Sequence, residues 1–290
     1  MPGAAIELMR PSHWVKNVFV LAPIVFAGRL VDPWALGRVA IALLSFCAAA
    51  SAVYAFNDIR DRDCDRNHPV KRDRPVASGR VSLALAGSLA AILAAIALAA
   101  ASALGGDFLL VALFYLGINL LYTLWLKQVV ILDVMSIAAG FVLRVAGGGA
   151  AIGVELSAWL LLCTIFLALF LAFSKRRHEL ALLADQASKQ RRVLDHYGDT
   201  FLDQMINVVT ASSVITYALY SVSPGILERF GHRFLLATMP FVLFGVFRYL
   251  YLTYQHPGKL NPTESVVRDW PSLVNVALWG AAVVMMLYGL

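Results

Sequence analysis

The chain has 290 residues, of which 60% are hydrophobic and only 14% charged, with a mean hydropathy of +0.74. Soluble globular chains carry about a quarter charged residues, so this composition excludes a soluble enzyme and a disordered chain and requires a bilayer. The net charge of +6, from 24 basic and 18 acidic residues, points to basic loops at a membrane face, with membrane lipids as partners and no nucleic acid.

Apolar runs of the roughly 17–25 residues that a crossing helix needs lie at 15–31, 35–56, 82–104, 107–126, 129–152, 156–174, 201–223, 233–254 and 272–290. The runs show no period-two alternation, which argues against strands and a barrel. The expected fold is all-α: a multi-pass membrane protein of nine transmembrane helices in a single domain over 1–290. The first run is interrupted by Pro23, and the fifth carries Asp133 and Arg144. Cys47, Cys64 and Cys163 have no disulfide or zinc spacing, and Met1 to Trp14 lacks the pattern of a removable signal peptide.

With the N-terminus in the cytoplasm, 18 of the 24 basic residues fall on the cytoplasmic side and four on the other, which fixes the orientation. Two cytoplasmic loops, 57–81 and 175–200, are expected to cap an active site. Their spacing hints at two halves related by an internal repeat.

The first loop opens on Asn57 and continues with Asp58, Asp61 and Asp65, at i, i+3 and i+7. On a continued helix these carboxylates share one face. Clustered carboxylates repel one another unless a cation lies between them. Hard oxygen ligands suit Mg2+, which takes one or two carboxylates together with substrate phosphates. The expected ligand is a magnesium diphosphate, with Asn57 holding a carboxylate or a phosphate oxygen. The competing reading is a solvated acidic helix end balanced by Arg60, Arg62 and Arg66. Lys71, Arg72 and Arg74 follow at once and complete a phosphate cradle, unless they serve only as cytoplasmic anchors.

Taken with these residues, the chain resembles the UbiA superfamily of intramembrane prenyltransferases, whose first aspartate motif matches Asn57-Asp58-x-x-Asp61-x-x-x-Asp65. It is more narrowly similar to the decaprenyl-phosphate phosphoribosyltransferase branch. The matching segments are Arg10-Pro-x-x-Trp-Val-Lys-Asn17, His68-Pro-x-Lys71-Arg72-x-Arg74-Pro75 and Tyr122-Thr-Leu-Trp-Leu-Lys127. Asp133 through Gly140-Phe-Val-Leu-Arg144, Lys175-Arg176 to Glu179, and Arg268-Asp269 complete the set. The resemblance implies transfer of 5-phosphoribosyl from phosphoribosyl diphosphate to a polyprenyl phosphate, with Mg2+ as cofactor, at the cytoplasmic face of the inner membrane. The product would be an arabinose-donor precursor for cell-wall glycolipids. A homo-oligomer is left open.

A prenyl-transferring member carries an Asp-x-x-x-Asp pair after its sixth helix. Here that place reads Lys175-x-x-x-Glu179, which removes a metal ligand and adds a phosphate ligand. Lys175, Arg176 and Glu179 are therefore expected at the donor, with its 5-phosphate on the basic pair. Asp195, Asp199 and Asp203 share a helical face and are either a displaced acidic motif or a solvated surface. Lys16 and Lys127, near helix ends, either hold the acceptor phosphate or snorkel to headgroups. Asp133 and Arg144 are further candidates, since charges inside a membrane are functional by default, and the resemblance adds Arg10 through its matching Arg10-Pro segment. Asp133 and Arg144 lie on one helical face, and Arg144 alternatively serves as a buried counter-ion. The run Gly147-Gly-Gly149 is read as a close-packing element. The rivals are a prenyltransferase acting on an aromatic or quinone-precursor acceptor and a transporter for an anionic metabolite. Charges gathered at one face, with no path across the membrane, argue against the transporter.

Overall fold

The computed structural model describes residues 2–67, 71–182, 196–230, 235–255 and 268–289, and no strand occurs among them. His68 and Asp195 lie outside the described residues. In chain order the α-helices are α1 (Pro2–Met9), α2 (Ala22–Phe26), α3 (Pro33–Arg60), α4 (Arg62–Arg66), α5 (Leu83–Leu104), α6 (Gly106–Leu124), α7 (Leu132–Ile152), α8 (Ala158–Leu182), α9 (Asp199–Ser221), α10 (Pro224–Phe230), α11 (Met239–Gln255) and α12 (Trp270–Tyr288).

Among the described residues, seven segments are long and apolar enough to cross a membrane, and they correspond to α3, α5, α6, α7, α8, α11 and α12. The chain is an integral multi-pass membrane protein. Two of the nine expected spans differ. The expected 201–223 span is realised as α9, 23 residues long, but Asp203, Gln204 and Asn207 dilute its apolar content. The expected 15–31 span is not one α-helix. It is a 3-10 helix over Pro11–Leu21, then the short α2, then a turn through Gly28 at φ 71. Pro23 lacks a backbone donor and its ring crowds the preceding turn, so a continuous α-helix is not available here.

The chain forms two compact units. The first holds Met1–Val129 and Ala139–Leu156; the second holds Val130–Ala138 and Ser157–Leu290.

Unit 1 is organised on α3, whose start is set by Pro33 and by Asp32, which accepts from the backbone of Trp34 and Ala35. Its alanine-rich face packs on α5 through Ala42, Ala49, Ala97 and Ala101. Small side chains let the backbones approach, and the Ser45 hydroxyl donates to the carbonyl of Ala97 across the contact. Phe46 meets Phe108 and Tyr115 edge-to-face. The 3-10 segment is long for its kind, and its three-residue period accounts for it. Trp14, Asn17 and Val20 fall on one face. The Trp14 indole donates to Ser51 at 3.0 Å, the Asn17 amide donates to the Cys47 sulfur at 3.2 Å, and Val20 packs against α7. The glycine run acts as a close-packing element: a Cβ at Gly148 would lie 2.1 Å from the Val20 carbonyl oxygen, and one at Gly147 would lie 2.4 Å from the Phe46 ring. Arg29 and Arg38 donate to the last carbonyls of α7, and Arg38 also to the last of α5, while both stack on Trp34. Two arginines on the sparsely charged side thus cap helix C-termini.

Unit 2 pairs α8 with α9, and α11 packs beside them. Phe170, Phe173, Leu202, Ile206, Val246 and Tyr249 form its core, with Val134 from the first turn of α7. Thr238, Tyr217 and Trp279 form a buried hydrogen-bonded chain. Arg248, which the sequence leaves unexplained inside an apolar run, pairs with Asp269 at 2.7 Å, and Asp269 also caps α12. The spans of α5, α6, α11 and α12 bury only 17–22% of their apolar windows. So much exposed hydrocarbon is stable against lipid and not against water.

Candidate active site

The first cluster lies in unit 1, where α3 ends. Asp58 is on the last turn of α3 and is 1% exposed; Asp61 caps the helix, and Asp65 is buried on α4. The break at Asp61 separates the carboxylates that one continuous helix would align. Asp58 and Asp65 are brought together by Arg74, whose Nη1 lies 3.3 Å from Asp58 Oδ1 and 2.7 Å from Asp65 Oδ2. Asp61 points elsewhere and pairs with Lys127 from the turn after α6. The expected triad is therefore a pair plus one carboxylate held by a lysine.

Arg10 completes the pair. It sits between α1 and the 3-10 helix at φ 52, bonds Asp58 Oδ1 and stacks on the Tyr54 ring at 5.2 Å. Burial pulls its pKa below the ordinary arginine value, and Asp58 opposes that shift. Lys71 and Arg72 occupy the 3-10 turn Lys71–Asp73 just before Arg74, with Arg72 exposed. Lys16 is half-buried on the 3-10 helix. Arg80, which the sequence reading passed over, forms a bidentate pair with Glu7 and ties α1 to this loop.

Two buried acceptors at this cluster, Asp58 Oδ2 and Asn57 Oδ1, have no hydrogen-bond partner among the described residues. Such orphaned oxygens fit a cation. No group of three or more His, Cys, Asp or Glu side chains among the described residues is close enough to hold a metal alone.

Deeper in unit 1, Arg144 is buried with no carboxylate partner among the described residues. Its guanidinium donates to Asn17 Oδ1 and Tyr115 OH, each at 2.7 Å, and to the Gly140 carbonyl at 2.9 Å. It also stacks on Tyr115 and Phe141. It holds the 3-10 helix through Asn17, and the shared helical face with Asp133 does not make the two partners.

The second cluster lies in unit 2. Asp133 is fully buried; one oxygen accepts from Arg176 Nε at 2.6 Å and the other from Tyr197 OH at 2.7 Å. Burial, with the Asp133 carboxylate next in weight, pushes the Tyr197 phenol up, so it remains a donor. The same hydroxyl accepts from the amide of Ile131, a residue at φ 70. Arg176, itself 0% exposed, also holds Glu179 at 2.6 Å. Lys175 is different, with its side chain 44% exposed and its ammonium 3.9 Å from Glu179. Asp199 and Asp203 pair with Arg177 at 3.1 and 3.0 Å, and Asp203 also accepts from Tyr254. Sequence reasoning missed Tyr197 and Tyr115 as polar partners, because a tyrosine's position in the sequence carries no signal of what its hydroxyl meets.

Against known proteins, the model of the UbiA prenyltransferase family matches residues 17–267. A decaprenyl-phosphate phosphoribosyltransferase of Mycobacterium tuberculosis is 35% identical over 254 residues, 85% of this chain and 82% of that one. One from Mycolicibacterium smegmatis is 36% identical over 222 residues, 75% of this chain and 70% of that one. A UbiA homolog from Archaeoglobus fulgidus bound to GPP and Mg2+ superposes with a TM-score of 0.72 at 20% identity, covering 99% of this chain and 98% of that one. That level of identity speaks to the fold alone.

Proposed function

The chain belongs to the UbiA prenyltransferase family, and from that premise we propose that it transfers 5-phosphoribosyl from phosphoribosyl diphosphate to a polyprenyl phosphate and releases diphosphate. The observation that carries this reading is the buried pair Asp58 and Asp65, with two orphaned acceptors and the cationic side chains of Arg10 and Arg74 around it. That set suits a metal diphosphate. The donor and acceptor classes follow the similarity to decaprenyl-phosphate phosphoribosyltransferases over most of the chain.

Asp58 and Asp65, with Asn57 beside them, are the residues we assign to Mg2+. When bound, the ion neutralises charge that develops on the departing diphosphate. Arg10 and Arg74 orient the diphosphate oxygens, with Lys71 and Arg72 on the same loop. As the C1–O bond lengthens, C1 takes on oxocarbenium character, and a lipid phosphate oxygen attacks from the opposite face. No general base is required, because that phosphate is already ionised at neutral pH. Lys127 and Lys16 are assigned to the acceptor phosphate, with Asp61 holding Lys127 in place until it arrives. On α8, Lys175 is assigned to the 5-phosphate. Arg176 we assign to bracing that end of the helix, since its guanidinium is committed to Asp133 and Glu179. We assign the site to the cytoplasmic face of the inner membrane, a reading that the basic loops support.

The test offers purified protein labelled phosphoribosyl diphosphate and labelled prenyl diphosphates, each with matched acceptors. Diphosphate release from phosphoribosyl diphosphate, dependent on polyprenyl phosphate, is expected. Transfer of a prenyl group to an aromatic acceptor instead would overturn the reading.

A further inference from the structure

The two buried carboxylates Asp58 and Asp65 carry their own counter-charges, Arg10 and Arg74, so the cluster is neutral as it stands. A Mg2+ entering alone would leave this buried site with two positive charges and no counter-ion, which is costly. A metal arriving with a diphosphate brings the balancing negative charge with it. The two arginines are not equivalent. Arg10 is fixed by the 3-10 helix that follows it and by stacking on Tyr54. Arg74 lies outside any helix, its side chain is 24% exposed, and its Nη1 bridges both of the carboxylates that would hold a metal.

We infer that Arg74 is an exchangeable stand-in for the metal: it neutralises Asp58 and Asp65 in the resting protein and moves to the diphosphate when metal and diphosphate bind, so that each ligand binds tightly only with the other. The inference rests on the metal-diphosphate reading of this cluster. By linkage the coupling is reciprocal. Removing Arg74 should therefore have effects of opposite sign. The carboxylates lose a competing cation and take metal more readily, while the diphosphate loses a charge-assisted hydrogen bond.

The experiment measures retention of radioactive Mn2+, as a stand-in for Mg2+, by the full chain in detergent micelles, with and without inorganic diphosphate. Wild-type protein is expected to hold metal weakly alone and much more tightly with diphosphate. Arg74→Ala should hold metal alone at least about tenfold more tightly, with the gain from diphosphate reduced about 10- to 100-fold. Arg74→Lys keeps the resting charge and should keep weak metal-only binding. An Arg74→Ala protein with wild-type metal-only affinity overturns the exchange. So does an Arg74→Lys protein that gains metal affinity as Ala does, and this holds even where the alanine variant does not fold. Asp58→Ala separates the two levels of the argument: if it retains metal as the wild type does, the assignment of the metal itself is wrong, whatever Arg74 does.

Discussion

Replacing Asp133 with asparagine removes one charge and almost no volume from the inside of unit 2. The carboxylate is fully buried and meets Arg176 at 2.6 Å and Tyr197 at 2.7 Å, while Arg176 has no exposed surface. Deleting one partner of a buried pair costs about 3–5 kcal/mol, because the remaining charge is left in a poor medium. Glu179 stays on the other side of the guanidinium and holds the cost near the low end, about 3 kcal/mol. For a chain of this size that corresponds to a fall of about 5 °C in midpoint. The assay is the fraction remaining monodisperse on size exclusion after a heat ramp in detergent. The double variant Asp133→Leu with Arg176→Met removes both charges together and should recover much of the loss, because an apolar replacement of a buried pair is close to neutral. A midpoint within about 1 °C of wild type for Asp133→Asn would refute the bracing role and return Arg176 to the list of donor ligands.

Other outcomes follow from the same geometry. Asp58→Ala and Asp65→Ala should abolish transfer in folded protein. Asp61→Ala should cost less, and its effect should not add to that of Lys127→Ala, since the two share one interaction; turnover assays on the single and double variants decide this. Lys175→Ala should weaken phosphoribosyl diphosphate about 10- to 100-fold and leave the thermal midpoint unchanged, as measured by equilibrium binding and the heat ramp together. Gly148→Ala should lower stability by about 1–3 kcal/mol, because the clash it creates is with backbone; an unchanged midpoint would contradict the close packing of α7 on the 3-10 helix.

The long apolar helices were legible in the sequence because hydrocarbon length is a local property. The acidic and basic residues of the first loop were legible as chemistry, since their types are informative before their positions are known. Their pairing was not. Spacing put Asp61 with Asp58 and Asp65, but Lys127, 66 residues away, draws it off. Spacing put Arg144 with Asp133, but each finds partners from remote parts of the chain. Lys175 and Arg176 are adjacent and chemically alike, and only burial separates an exposed ammonium from an internal brace. The 3-10 helix was hidden for a different reason. Its apolar content reads as a span, and the prolines with Asn17 were the signal that its backbone would take another form.

That segment also bears on how the protein is assembled. Asn17 meets Arg144 across 127 positions of sequence, and Val20 rests on Gly148. A 3-10 backbone with a buried amide gains little from lipid alone, because its polar atoms are satisfied by α3 and α7. The ribosome delivers this stretch before α7, so its docking surface is incomplete until residue 148 has emerged and α7 is in place. An apolar segment made before the helices that receive it is thus among the later ones to settle, and it must wait at the membrane surface or in the care of the insertion machinery while those helices are laid down.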